Sequence, residues 1–163
     1  MIQEIYKQIV HTLEAELKRF YGNRLVSVCL YGSVARGTMN NTSDLDLLVV
    51  ARDLPRGRVK RIDEFRTVER ALERILGRAR KNEVYCELSP VIKTPEEVNR
   101  GSLLFLDMLE DGKILYDRGG FLNRFFEKFR RRLQRLGAKR IWRGETWYWM
   151  LKEHYKPGEV FEI

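Results

Sequence analysis

Two short apolar runs, Leu25 to Tyr31 and Asp44 to Ala51, flank a polar stretch that opens on Gly32-Ser33. Each run is too short for a core helix and rich in β-branched residues, so each reads as a buried strand. Gly32-Ser33 breaks the first strand, Val34 to Arg36 opens a helical turn with Ser33 as its N-cap, and Gly37 to Ser43 is turn-forming. The second strand carries Asp44 and Asp46 two residues apart, which places both carboxylates on one face. A strand, a glycine turn and a second strand with paired acids restrict the chain to a sheet-based fold.

The flanking sequence supplies the helices. Ile2, Ile5, Tyr6, Ile9, Leu13, Leu17 and Phe20 recur at helical spacing up to Gly22-Asn23. Val59 to Ala79 is a charged helix with the stripe Ile62, Phe65, Val68, Leu72 and Ile75. Val84 to Ile92 reads as a third strand, weakened by Pro90, and Thr94-Pro-Glu-Glu as a capped helix start. Leu103 to Leu109 is helical, and Asp111-Gly112 turns the chain into a short strand, Ile114 to Tyr116. Phe121 to Leu136 is a helix with Phe121, Phe125, Phe129, Leu133 and Leu136 on one side and Arg124, Lys128, Arg131 and Arg135 on the other. The tail holds Trp142, Trp147 and Trp149 and ends in a last strand, Val160 to Ile163. This alternation predicts one α/β domain, a mixed β-sheet flanked by helices. At 163 residues and 44% hydrophobic, the chain suits one domain and is not disordered.

Glycine lets a ligand approach the backbone closely, and N–H groups at a helix start favour phosphate. Two adjacent carboxylates repel unless a cation lies between them, and Mg²⁺ takes carboxylate and phosphate oxygens together. A phosphate cradle beside a carboxylate pair is apparatus for phosphoryl or nucleotidyl transfer. Gly32-Ser33, ten intervening residues, then Asp44-x-Asp46 resembles the signature of the DNA-polymerase-β-like nucleotidyltransferase superfamily. Val34-Ala35-Arg36-Gly37 and Ser43-Asp44-Leu45-Asp46-Leu47 resemble its minimal nucleotidyltransferase (MNT) branch, in which the run Asp111 to Asp117 resembles the domain's end.

That resemblance implies a polymerase-β-like fold over residues 1–118, with 119–163 as a basic helix and aromatic extension packed on the same domain. It implies a metal-dependent enzyme transferring a nucleoside monophosphate, with ATP as the expected donor, to a hydroxyl. Gly32, Ser33 and Arg36 would bind the nucleotide, and Asp44 and Asp46 would hold Mg²⁺ in a two-metal site. The family's third carboxylate comes from the next strand, where Glu87 is the interior acid, making it the expected third ligand or general base. Antitoxins of this branch pair with HEPN-type toxins, so a HEPN-type protein, with a tyrosine as acceptor, is the implied partner.

Blander alternatives stand beside these. Gly32-Ser33 could be a plain turn, Asp44 a turn acid, Asp46 and Glu87 exposed strand residues, and Arg36 the partner of a surface acid. Cys29 and Cys86 sit in apolar runs and read as core thiols. They form no Cys-x-x-Cys pair, which excludes a disulfide scaffold or an all-cysteine zinc site. His11 and His154 have no ligand-like company, and the tryptophans read as packing anchors. No apolar run is long enough to span a bilayer and no signal-like block opens the chain, so a reducing cytoplasm is the expected location. The net charge of +8 resides between Phe121 and Arg143, with nine basic residues against Glu127 alone. That excess suits an acidic partner, RNA included, and leaves open a second class of function: a catalytically weak module that neutralises a partner through its basic helix.

Overall fold

The two apolar runs form the centre of a four-stranded sheet. In the computed structural model, which describes residues 1–144, 146–152 and 156, β1 (Leu25–Tyr31) pairs antiparallel with β2 (Leu45–Ala51). Strand β3 (Leu88–Lys93) adds parallel to β2, and β4 (Lys113–Asp117) antiparallel to β1, giving the order β3-β2-β1-β4. The inner strands are buried on both faces, which is why their sequences are nearly continuous in apolar residues. Pro90, which cannot donate to a ladder, sits on the edge strand β3.

Helices cover each face. On one side α1 (Ile2–Tyr21) and α3 (Arg58–Lys81) bury Ile9, Leu13, Leu17, Phe65 and Leu72 against Leu45, Leu47 and Val49. On the other, α4 (Pro95–Asn99), α5 (Leu104–Asp111) and α6 (Phe121–Leu136) bury Val98, Phe105, Met108, Phe125 and Phe129 against Val26, Leu48 and Val50. Helix α4 carries a complete capping box: Glu97 N–H donates to Thr94 Oγ1 at 3.3 Å and Thr94 N–H to Glu97 Oε2 at 2.9 Å. A five-residue helix, α2 (Gly32–Arg36), leaves the end of β1.

Three expectations change. The third strand begins at Leu88, not Val84, because Val84 to Glu87 lie ahead of the parallel ladder, whose first pair is Leu45 with Leu88. The buried stripe of α6 is Leu122, Phe125, Phe126, Phe129 and Leu133, so Phe121 and Leu136 stand at its margins. The aromatic tail is an antiparallel hairpin, β5 (Lys139–Arg143) with β6 (Thr146–Met150), whose Trp149 packs into the α5–α6 core. The strand expected over Val160 to Ile163, like His154, lies outside the described residues. Among the described residues no helix is long and apolar enough to cross a membrane.

Candidate nucleotide and metal site

β1 ends at Tyr31 in extended backbone, and α2 begins at once with Gly32, two residues ahead of the expected start at Val34, so Ser33 lies inside the helix and does not cap it. Gly32 has φ +74°, a conformation costly for any side chain. It also lies so close to the Asp46 carboxylate that a Cβ there would overlap Oδ2. The glycine therefore serves the carboxylate as well as the turn. Gly37 ends α2 in the left-handed region.

The returning loop is held from within and from below. Asn40 Oδ1 accepts from Thr42 N–H at 2.9 Å, and Asn40 N–H donates to Ser43 Oγ at 2.9 Å. Tyr6, fully buried on α1, donates its hydroxyl to the carbonyls of Ser43 at 2.7 Å and Asn40 at 3.1 Å. Burial, the neighbouring Cys86 and, to a smaller extent, Asp44 push the Tyr6 phenol up to about 12, so it stays a donor. The signal in the sequence was a polar tip in an otherwise wholly apolar stripe. Tyr6 was visible there only as a stripe residue.

Asp44 is exposed and immediately precedes β2, whereas Asp46 is half-buried on β2 and pairs with Tyr31 on β1 and Ser89 on β3. Burial foremost, and then the charge of Asp44, raise the Asp46 carboxyl above the ordinary aspartate range, while the Ser89 hydroxyl and Arg36 pull the other way. A half-buried carboxylate strained by its twin is relieved by a cation. The all-oxygen donor pair suits Mg²⁺ completed by phosphate oxygens. Ser89, opposite Asp46, was missed because the strand register was not legible. Glu87 is exposed, one residue ahead of β3, and its carbonyl accepts from Leu45 N–H at 2.8 Å. With Leu45 paired to Leu88, Glu87 falls in register beside Asp44. Among the described residues no group of three His, Cys, Asp or Glu is gathered as a metal cage.

Arg36, at the end of α2, lies 3.6 Å from Asp111 Oδ2 and 5.1 Å from the Trp147 ring centre. It also lowers the pKa of Asp46, so it stands between the acid pair and the hairpin. Cys29 and Cys86 are buried, unbridged and pushed up to about 12 mainly by burial, which makes them inert core thiols.

Comparison with known proteins fits this geometry. The family described as "Nucleotidyltransferase domain" matches residues 10–104, more than half the chain. A protein of Methanocaldococcus jannaschii named "Putative protein adenylyltransferase MJ1305" is 30% identical over 138 residues, covering 83% of this chain and 88% of its own. A crystal structure of a toxin–antitoxin with AMP-PNP superposes with TM-score 0.51 at 21% identity, over 76% of this chain and 88% of that one. That likeness supports the fold.

Proposed function

Because the chain belongs to the nucleotidyltransferase domain family, we propose that it is an Mg²⁺-dependent adenylyltransferase moving AMP from ATP to a protein hydroxyl. The observation that carries this is the Asp46 carboxylate seated against a side-chain-free Gly32 at the head of α2. The backbone N–H groups of Gly32 and Ser33 take the β- and γ-phosphates, and Arg36 faces the same phosphates with its charge. Asp44 and Asp46 would hold Mg²⁺, which when bound would supply charge neutralisation on the triphosphate and acidify the attacking hydroxyl. Glu87, in register beside Asp44 on the open side, accepts the proton as the acceptor oxygen bonds to the α-phosphorus. The α–β phosphoanhydride bond breaks and pyrophosphate leaves. A protein acceptor is supported by the name of the Methanocaldococcus relative, and a toxin as that acceptor by the toxin–antitoxin neighbour; the HEPN type and the tyrosine rest on the resemblance of the Gly32-Ser33 and Asp44-x-Asp46 motif alone.

Labelled ATP tests this. With Mg²⁺ and a lysate of the source organism, label from the α-phosphate should enter a protein and label from the γ-phosphate should not. Glu87→Gln should leave nucleotide binding within about twofold and slow transfer by roughly a hundredfold or more, the size expected of a general base. Unchanged transfer would remove Glu87 from the chemistry.

One observation supports a second role beside the first. A groove of about 1010 Å³ runs along α6, floored by Phe125 and Phe129 and lined by Lys128, Arg131, Arg132 and Arg135, with no acid among the described residues of its wall. It suits an acidic partner, RNA among them, whose hold weakens with salt. Arg124, expected on this face, turns back to donate to the Gly119 carbonyl and serves the start of α6. Lys128→Glu with Arg135→Glu should leave ATP binding intact and slow labelling of the acceptor at low salt. Labelling at the wild-type rate would mark the groove as a solvated face.

A further inference from the structure

Helix α2 and the C-terminal hairpin converge on one carboxylate. Asp111, ending α5, takes Arg140 through two contacts, Nη2 to Oδ2 at 3.1 Å and Nη1 to Oδ1 at 3.4 Å. The same Oδ2 takes Nη1 of Arg36 at the looser 3.6 Å. Both guanidinium groups lie over the ring of Trp147, Arg36 at 5.1 Å and Arg140 at 4.2 Å from its centre. Trp147 is itself fixed, its Nε1 donating to Asp107 Oδ1 at 3.3 Å and its ring packing on Trp142 at 5.1 Å. Arg140 is the better-engaged partner, with 14% of its side chain exposed against 28% for Arg36. Two cations therefore share one anion, and Arg36 holds the weaker share. An arginine ending a five-residue helix has many rotamers to lose on binding a phosphate, and a flat ring with a shared carboxylate removes much of that freedom beforehand.

We infer that Trp147 and Arg140 are positioning residues for nucleotide binding: the hairpin holds Arg36 by one side, so that its remaining N–H donors face the departing pyrophosphate. This rests on the triphosphate placement proposed above, and it gives the hairpin, which lies beyond the family match at residue 104, a part in the reaction. A calorimetric double-mutant cycle with Mg·ATP tests it. Arg36→Ala should weaken binding about tenfold, the scale of a lost charged hydrogen bond. Trp147→Ala should weaken it roughly three- to fivefold, the scale of a lost ring–cation contact. Trp147→Phe, which keeps a ring face, should stay within about twofold of wild type. The double variant Arg36→Ala with Trp147→Ala should bind no more weakly than Arg36→Ala alone, because Trp147 acts only through Arg36. Multiplicative losses in the double variant would overturn the inference, as would Trp147→Phe as weak as Trp147→Ala, which would signal general damage to the hairpin. Wild-type affinity in Trp147→Ala beside a weakened Arg36→Ala would overturn the hairpin's role and leave the site standing. Wild-type affinity in Arg36→Ala would overturn it too, and no Mg·ATP binding by the wild type would overturn both.

Discussion

Asp46 is a charged residue held at a cost to the fold. Its carboxyl is half-buried beside Asp44, and both circumstances favour the protonated form. A carboxyl whose folded pKa lies above its unfolded value contributes stability that is fully present below the unfolded value, here 3.8, and lost as pH rises through the folded one. At pH 7 without divalent metal, Asp46→Asn should therefore melt at a higher temperature than wild type. The gap should close as pH falls to 3.8 and below. Thermal melts in a chelating buffer check this, and a variant that melts lower at pH 7 would contradict the electrostatic account. Both acids and Gly32 were legible in the sequence, because turn and spacing are local. The partners that shape their behaviour were not: Ser89 follows from a parallel register, and Tyr6 reaches its loop across 37 residues of chain.

At the scale of elements, two helix starts carry most of the testable energetics. Asp117, ending β4, accepts from Leu122 N–H at 2.9 Å and Asn123 N–H at 3.0 Å, and so caps α6. The same carboxylate accepts from the fully buried Ser27 hydroxyl at 2.6 Å. Asp117→Ala should cost about 2–3 kcal/mol, a lost cap plus an orphaned buried hydroxyl. Adding Ser27→Ala should recover part of that loss, because the orphan goes with it. Denaturant melts of the pair check this, and additive losses would deny the link. At α4, hydrogen bonds from Arg61 first, and then the Thr94 backbone, hold Glu97 down at about 2 against 4.5. A depressed carboxyl contributes stability present above its unfolded pKa and lost as pH falls through its folded one. Wild type should therefore lose stability between pH 4.5 and about 2, and Glu97→Gln should show a shallower decline across that window in acid melts. The capping box was legible because its four residues are contiguous. The Asp117 cap was not, since it depends on β4 lying against β1, with Ser27 opposite Asp117.

For the molecule as a whole, the sheet separates two helical layers, and the carboxylate pair opens at the end of the one that also contains the hairpin. The order of helices and strands was legible as far as α6, where period and turn chemistry agree. The hairpin was not, because its two strands bury one face only in part: in β6 the partly buried Trp147 and Trp149 alternate with exposed Thr146 and Tyr148, while in β5 Trp142 is exposed beside Lys139 and Arg143. Packing on α2 and α5 gives that alternation its meaning. The central claim, that the Gly32–Asp46 contact builds a metal–triphosphate site, is tested most directly by calorimetric titration of ATP into wild type and Asp46→Asn at pH 7, with and without Mg²⁺. Wild type should bind ATP only with Mg²⁺ present, and Asp46→Asn should bind at least about tenfold more weakly, the scale of a removed charge contact to a bound ion. Equal affinity of the two proteins in the presence of Mg²⁺ would contradict the claim.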